Sequence, residues 1–378
     1  MTTSPATIPS VPFGKTANGT PARLWRLANA HGMTAEVTDL GACLVSLRVP
    51  DGTGSFADVV LGYDGARAYG VNAPNFGAVV GRHANRIGGA RFELGGATYE
   101  LAANERGNSL HSGPDMWFHR TWEVVSAQQL QDPVASVADD AKPFGSVAAS
   151  IELRLASPDG DQGFPGNLDV HVTYELTEDD QLRISYAADA DAPTIVNLTN
   201  HSYFNLNGHA SGSVLGHTLQ IDANRYTVCD ETLVPTGELA DVEGTPLDLR
   251  EAKPLLQGVT SDFPAIVGAR GFDHNFELAG YAPQDGFVGT LRRVATLTSD
   301  VTGISMDVLT DTPGMQVYSA NFIDGEVGKG GHAYRDHDAV CLETQFYPDA
   351  IHHADFAQPV FGPDNPYRSR TTYAFRHA

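Results

Sequence analysis

The chain contains only three cysteines among its 378 residues, Cys43, Cys229 and Cys341, and none of them belongs to a CxxC pair. Disulfide frameworks and cysteine zinc clusters need closely spaced cysteines, so the sequence excludes both. Cys341 lies inside the apolar run 339–342, where we expect it to serve as a small buried hydrophobic residue.

Positive charge is also scarce. Lysine and arginine total 24 against 46 aspartates and glutamates, which gives a formal net charge of −22. Such a field repels nucleic acid and anionic membranes, because phosphate binding needs clustered basic side chains. The ordinary benefit of this acidity is solubility.

Long apolar runs and targeting signals are missing as well. No stretch reaches the roughly 18–20 apolar residues that cross a bilayer. Residues 1–13 have neither the basic start nor the apolar core of a signal peptide. We therefore expect a soluble, cytoplasmic protein that has neither nucleic acid nor a membrane as its partner.

Helical periodicity is rare, with one candidate short helix within 248–259, whereas apolar residues alternate with polar ones in many segments. Alternation with a period of two predicts strands that bury one face. It is clear at 151–155, 170–176 and 182–186, and the polar link 177–181 predicts a hairpin between the last two. Further strand signals occur at 22–28, 43–49, 57–62, 91–101, 121–127, 193–198, 217–222, 291–298, 304–310, 315–320, 339–345 and 371–376.

So many strands without alternating helices favour an antiparallel sandwich or barrel-like fold. The 39 glycines and 22 prolines are scattered, as short strands joined by turns require. Neither a repeat nor a composition shift divides the chain, so we expect one domain over residues 1–378. The segment 128–147, rich in Gln, Asp, Ala and Pro, is expected to be a loop insertion.

Four polar clusters interrupt this pattern, at 81–89, 104–113, 197–206 and 340–350. Taken alone, each allows a plain structural role. The arginines of 81–89 could pair with carboxylates in a solvated turn, and His111 could be a surface or capping residue. The cluster around His201 suits a buried hydrogen-bond network or a sugar site. Glu343 is either an inward-facing base with a raised pKa or a residue on an exposed edge strand.

Other chemistries lack their motifs. The glycines of 81–89 are not followed by the Lys-Ser/Thr of a phosphate loop. The histidines and acids show no HExxH, HxxEH or HxH spacing for a metal, and no GxSxG elbow supports a nucleophilic serine. Proton transfer by His and Glu remains, with Asn, Arg, Asp and Gln available to hold a polyol.

In this order, six motifs resemble the galactose mutarotase (aldose 1-epimerase) family. They span residues 81–350, and six motifs in register are far more specific than any one alone. The matching segments are Gly81-Arg82-His83-Ala84-Asn85-Arg86-Ile87, Asn108-Ser109-Leu110-His111, Thr199-Asn200-His201-Ser202-Tyr203-Phe204-Asn205-Leu206, Gly271-Phe272-Asp273-His274-Asn275-Phe276, Pro313-Gly314-Met315-Gln316-Val317-Tyr318 and Leu342-Glu343-Thr344-Gln345.

The resemblance implies a β-supersandwich, in which two large curved antiparallel sheets pack together. It implies an enzyme that interconverts the α and β anomers of a free aldose such as glucose, galactose or a pentose, with Glu343 as general base and His201 as general acid. The residues that it implies hold the sugar are Asn85, Arg86, His111, Asp273 and Gln316. The reaction it implies needs no cofactor and no metal, because the substrate carries its own carbonyl; we expect a monomer or a homodimer.

Two departures from the family pattern, at 112–117 and at Met315, predict a locally different pocket. Alternative functions are a hexose-6-phosphate 1-epimerase, a non-catalytic sugar-binding β-sandwich, and a hydrolase or lyase on a similar fold. A phosphate site would need basic side chains beyond Arg82 and Arg86. A hydrolase would need two carboxylates across the scissile bond, Asp273 with Glu343.

Overall fold

Antiparallel strands dominate the structure, a computed structural model that describes residues 6–134, 145–284 and 286–377. In chain order, the strands of these residues are β1 (Ala6–Thr7), β2 (Val11–Lys15), β3 (Pro21–Ala28), β4 (Thr34–Thr38), β5 (Leu44–Pro50), β6 (Phe56–Asp58), β7 (Val79–Val80), β8 (Arg86–Ile87), β9 (Arg91–Leu94), β10 (Ala97–Glu100), β11 (Ser109–Leu110), β12 (Glu123–Val134), β13 (Val147–Ser157), β14 (Leu168–Thr177), β15 (Gln181–Ala190), β16 (Thr194–Ile195), β17 (Thr199–Asn200), β18 (Tyr203–Phe204), β19 (Thr218–Ile221), β20 (Ala223–Cys229), β21 (Pro235–Asp241), β22 (Lys253–Pro254), β23 (Asp273–Leu278), β24 (Arg292–Thr298), β25 (Ile304–Thr310), β26 (Gly314–Tyr318), β27 (Val340–Gln345), β28 (Val360–Phe361) and β29 (Tyr367–His377).

Helices are few and short. The α-helices of the described residues are α1 (Ala66–Tyr69), α2 (Leu255–Val259) and α3 (Pro264–Ala269), and short 3₁₀ turns lie at Gly88–Ala90, Trp117–His119, Asp161–Gly163, Lys329–Gly331 and Ala350–His352. The α2 helix falls inside the segment 248–259, where the sequence predicts a short helix. Within the ranges that the structure describes, no helix is long and apolar enough to cross a membrane.

Three antiparallel sheets form the frame. The largest has ten strands in the order β1-β12-β13-β14-β15-β29-β25-β24-β19-β22, a second has β18-β27-β26-β23-β20-β21, and a third has β2-β3-β4-β5-β6. In β13 and β14 every second residue is buried, as the alternation of their sequences predicts. The prediction of an all-β fold built on large antiparallel sheets is therefore confirmed.

The predicted hairpin is present. Strands β14 and β15 pair from Leu168 with Ala190 to Leu176 with Leu182, and the turn between them holds Asp180 at φ 59°. Strand β12 extends to Val134 and β13 begins at Val147. Residues 128–134 and Val147 are therefore strand rather than loop, Gly145 and Ser146 are not in a strand, and residues 135–144 lie outside the described residues.

One main hydrophobic core takes side chains from all three sheets, for example Leu47 of β5, Val172 of β14 and Val317 of β26. Burying one such aliphatic side chain contributes about 1.5–3 kcal/mol. Along the chain this core extends from Ile8 to Phe375. The single domain predicted for residues 1–378 would need such a shared core.

Several two-residue strands connect the polar clusters to the sheets. Strand β8 pairs with β11, β7 with β17, and β18 with β27 of the six-stranded sheet. Arg86 lies in β8, His111 directly follows β11, and His201 lies between β17 and β18. The polar side chains between them are thereby fixed relative to β26 and β27.

Candidate active site

One cavity of about 350 Å³ brings together every site residue that the sequence singles out. This volume lies at the small end of the range of about 300–1,000 Å³ for ligand pockets, which suits a monosaccharide. Those lining residues, which come from six segments of the chain, are Asn85, Arg86, His111, His201, Asp273, Gln316 and Glu343.

Glu343 lies on β27, which is flanked by β26 on one side and β18 on the other. Its side chain is only 3% exposed, so it is not the solvated edge residue that composition alone allowed. Directly opposite on β26 is Gln316, and alternation turns both side chains to the same face. Burial raises the pKa of Glu343 well above its usual range, the charge of Asp273 adds to this, and Arg86 opposes it.

His201 follows β17 and is fixed through its backbone. Its N–H donates to the carbonyl of Ala78, and its own carbonyl accepts from the N–H of Gly77. The imidazole stacks on Tyr203, with ring centroids 5.1 Å apart, and its Nε2 lies 3.6 Å from Oε1 of Glu343. Burial lowers the pKa of His201 to about 4, against the smaller effect of a hydrogen bond to its own backbone.

Arg86 is held by carboxylates. Its Nε donates to Oε2 of Glu105 at 3.2 Å, and its side chain is only 9% exposed. Burial opposes the charge, but Asp273 and Glu105 outweigh that opposition, and the pKa of Arg86 is raised. Arg86 is therefore a permanent cation inside the cavity and not part of a solvated turn.

His111 and Asn85 form a pair across strands β8 and β11. The backbone N–H of Asn85 donates to Nδ1 of His111 at 3.1 Å, so the neutral ring carries its proton on Nε2. Burial, together with the nearby His201, Arg86 and His83, lowers the pKa of His111 well below its usual range. His111 is thus a neutral hydrogen-bond donor rather than a surface residue.

Asp273 and Gln316 meet across β23 and β26, where Nε2 of Gln316 donates to Oδ1 of Asp273 at 2.6 Å. That bond fixes the orientation of the amide and leaves Oε1 of Gln316 as an acceptor. Three buried oxygens that line the cavity have no hydrogen-bond partner among the described residues: Asn75 Oδ1, Gln316 Oε1 and Glu343 Oε2. Buried acceptors of this kind are satisfied by a ligand that brings hydroxyl donors.

Three side chains with metal-ligating atoms meet at this site, His201, Cys341 and Glu343, with donor atoms within 4.8 Å of one another. However, Sγ of Cys341 faces Nδ1 of His201 at 3.6 Å, whereas Glu343 faces Nε2. The sulfur and the carboxylate contact different nitrogens of one ring, so these two contacts do not converge on a single ring nitrogen. The arrangement favours proton transfer.

Several residues of the cavity carry no role in the sequence prediction. The tyrosines Tyr203 and Tyr318 belong to two of the quoted motifs, and Glu105 belongs to the second polar cluster. Asn75 lies outside every motif, and only the turn-forming Pro74 before it marks the position. Other cavity residues beyond the predicted set are Ala73, Arg106, Leu110, Leu233 and Phe322.

The departures from the family pattern do not line the cavity, and the local pocket difference expected from them stays a prediction. Met315 alternates with Gln316 on β26 and packs into the main core. Ser112 is hydrogen-bonded to the backbone of His83, and Trp117 is a core residue. Arg82 is also away from the cavity: it is 1% exposed and donates to backbone carbonyls of Ser157 and Pro165.

Comparison with known proteins gives consistent matches over nearly the whole chain. The profile of the aldose 1-epimerase family matches residues 23–374. A galactose mutarotase from Mus musculus is 38% identical over 344 residues, 91% of each chain. An aldose 1-epimerase from Escherichia coli K12 is 37% identical over 361 residues, 95% of this chain and 96% of that protein. The crystal structure of an aldose epimerase homologue from C. elegans has a TM-score of 0.80 at 28% identity, covering 98% of this chain and 100% of that one.

Proposed function

The chain belongs to the aldose 1-epimerase family, and we propose that it interconverts the anomers of a free aldose through Glu343 as general base and His201 as general acid. The observation that carries this proposal is the 3.6 Å between Oε1 of Glu343 and Nε2 of His201. In a cyclic aldose O1 and O5 are bonded to the same carbon. An acid for one oxygen and a base for the other must therefore lie close together, as these two groups do.

The proposed reaction moves two protons and breaks one bond. Glu343 removes the proton of the anomeric hydroxyl while His201 donates a proton to the ring oxygen, and the C1–O5 bond breaks to give an open-chain aldehyde. Rotation about C1–C2 presents the other carbonyl face. Closure with both proton transfers reversed gives the other anomer, and each positioned group contributes roughly 10²–10⁴-fold.

The opposite pKa directions suit this cycle. A protonated Glu343 beside a neutral His201 holds one proton, and so does a carboxylate beside an imidazolium; the two forms differ only in where that proton resides. Burial favours the neutral form, which is the form that exists after ring opening and is ready for closure. The charged form is ready for opening. The pair therefore works as a unit with one shared proton.

The other cavity residues would hold the sugar hydroxyls. Arg86 and the Nε2–H of His111 supply donors, and Asp273 with Oε1 of Gln316 supplies acceptors. Asn85 accepts the backbone N–H of Arg86 with its Oδ1, which leaves its amide N–H groups free to donate. Such groups raise the rate by holding O1 and O5 in place.

A phosphorylated sugar is less suited to the cavity. Arg106 reaches the cavity wall in addition to Arg86, but both arginines are paired with Glu105. The lining includes the acids Glu105, Asp273 and Glu343 against these two arginines. Because the Glu343–His201 pair is neutral overall, Glu105 and Asp273 balance the two arginines, and no surplus positive charge is left to bind a phosphate.

Polarimetry tests the proposal. Freshly dissolved α-D-glucose or α-D-galactose should reach its equilibrium rotation faster with the protein than without it, and glucose 6-phosphate should respond less. An unchanged rate for every free aldose tried would reject the epimerase and leave a non-catalytic sugar-binding protein. Release of the aryl alcohol from aryl glycosides would instead indicate a hydrolase.

A cytoplasmic location, and a monomer or a homodimer as the assembly, stay predictions. Light scattering on the protein as it elutes from a size-exclusion column would measure the mass of the assembly directly. A trimer or larger assembly would contradict the prediction.

A further inference from the structure

Cys341 contacts the proposed acid, His201, without lining the cavity itself. Its Sγ lies 3.6 Å from Nδ1 of His201, and it does not belong to the cavity wall. Cys341 and Glu343 are two positions apart on β27, so their side chains leave the strand on the same face. The imidazole therefore meets the sulfur with one nitrogen and the carboxylate with the other.

We propose that Cys341 is a positioning residue for the reaction: its sulfur accepts the Nδ1–H of His201 and so leaves Nε2 as the nitrogen that exchanges a proton. This inference rests on the proposed function, in which His201 gives a proton to the ring oxygen and takes it back. If the sulfur holds the Nδ1–H in place, an imidazolium that gives up its Nε2 proton keeps the proton on Nδ1. Its Nε2 then carries a lone pair that points toward the cavity. The other tautomer would block that lone pair with a hydrogen.

The chemistry of a buried thiol suits this position. Burial raises the pKa of Cys341 well above its usual range, and the charge of Glu343 adds to this, so the sulfur is a neutral thiol and a weak acceptor. A carboxylate at the same place would stabilise the imidazolium and raise the pKa of His201. A thiol orients the ring while leaving the imidazolium a strong acid.

No other titratable group replaces this contact among the described ring neighbours of His201. Its Nε2 faces Glu343, and its ring contacts His111 with centroids 5.5 Å apart, Tyr203 at 5.1 Å and Tyr318 at 6.3 Å. Arg86 and Asp273 also line the cavity, as fixed charges near Glu343. Of these groups, only Cys341 contacts Nδ1; the remaining hydrogen bond of the ring is to the backbone of His201 itself.

Nitrogen-15 NMR of the free wild-type protein at neutral pH tests the tautomer directly, with the His201 signals assigned by their loss in His201→Asn. We expect neutral His201 with its proton on Nδ1, and in Cys341→Ala a mixture of tautomers. A wild-type ring protonated on Nε2 would overturn the proposal whether or not any variant folds. This reading does not depend on turnover, so it separates failure of this inference from failure of the proposed function.

Steady-state kinetics provide a second test of the role of Cys341. Because a weak hydrogen bond contributes about 0.5–1.5 kcal/mol, Cys341→Ala should lower kcat about 3- to 10-fold while KM changes little. Cys341→Ser, which restores an acceptor, should recover most of the loss. The matched control is Cys43→Ala, since Cys43 is equally buried, in the same smaller hydrophobic cluster beside the main core as Cys341. Equal losses in Cys43→Ala and Cys341→Ala, or no loss in Cys341→Ala, would overturn the proposal.

Discussion

Glu343 and His201 are both buried, and burial acts on their pKa values in opposite directions, because it disfavours charge on an acid and on a base alike. The pKa of the Glu343 carboxyl is raised, and the pKa of the His201 imidazole is lowered to about 4. Between these two pKa values we expect the free pair to hold one proton. In the proposed reaction each residue is needed to let that proton move between O1 and O5.

Replacing either member should remove most of the activity. Glu343→Gln leaves no base and His201→Asn leaves no acid, so kcat/KM should fall roughly 10²–10⁴-fold in each. The double variant should be little worse than either single one, because the two act as a unit. Sugar binding measured by calorimetry should partly survive. Variants that retain more than half of wild-type activity in polarimetry would contradict the assignment.

The pH dependence follows from the shared proton. Below about pH 4 His201 also becomes protonated while Glu343 is still neutral, and no base remains; above the raised pKa of Glu343 the pair loses its proton, and no acid remains. We expect a bell-shaped profile of kcat/KM whose limits belong to the pair. Rates must be corrected for the spontaneous reaction at each pH. A profile that stays flat across both limits would argue against the shared proton.

At the scale of elements, the loop between β10 and β11 holds Arg86 through Glu105. Glu105→Gln keeps the shape of the side chain but removes the charge that fixes the guanidinium. Because hydrogen bonds to charged groups contribute about 1.5–3 kcal/mol, we expect KM for the sugar to rise about 10-fold or more, with a smaller change in kcat. The control is Glu100→Gln on β10, an exposed position away from the cavity. A KM that stays at its wild-type value would show that Arg86 needs no such support.

Long strands were the predictable part of the fold. The strand signal at 304–310 predicts β25 with both ends correct, and 170–176 and 182–186 predict the β14–β15 hairpin. Strands β8, β17 and β18 have two residues each, too few to show a period, and their pairing depends on distant chain segments. Their positions could be inferred only from family motifs.

The site was predictable to a similar extent. Motif resemblance identifies seven residues that line one cavity, whereas composition left His111 and Glu343 undecided between buried and surface roles. Asn75 and the contact between Cys341 and His201 are properties of the folded chain. No local sequence pattern records which side chains meet across β17, β18 and β27.

At the scale of the molecule, Arg82 connects the segment that carries Arg86 to the ten-stranded sheet. The chain passes so close to Trp117 at Gly81 that an added Cβ would lie 2.3 Å from the indole. The Arg82 guanidinium then donates to carbonyls of Ser157, Pro158 and Pro165 at 2.8–2.9 Å. Burial lowers its pKa to about 10, so the side chain is still charged at neutral pH.

Arg82→Met should lower the stability of the whole domain. It leaves three carbonyl groups without their donor, and breaking a buried network of this kind costs about 3–5 kcal/mol. Calorimetry should show one unfolding transition in the wild type, as a single domain requires, and one at lower temperature in the variant. Arg154→Met, at a surface ion pair, is the control and should change Tm little. Two separate transitions in the wild type would contradict the single domain.

The central claim is that Glu343 faces O1 and His201 faces O5 of one bound sugar. A crystal structure of Glu343→Gln soaked with D-galactose measures this directly, because the variant binds without turning the sugar over. We predict the side chain at position 343 within hydrogen-bonding distance of O1, and Nε2 of His201 within the same distance of the ring oxygen. A sugar bound in the cavity with its anomeric carbon turned away from both groups would contradict the account.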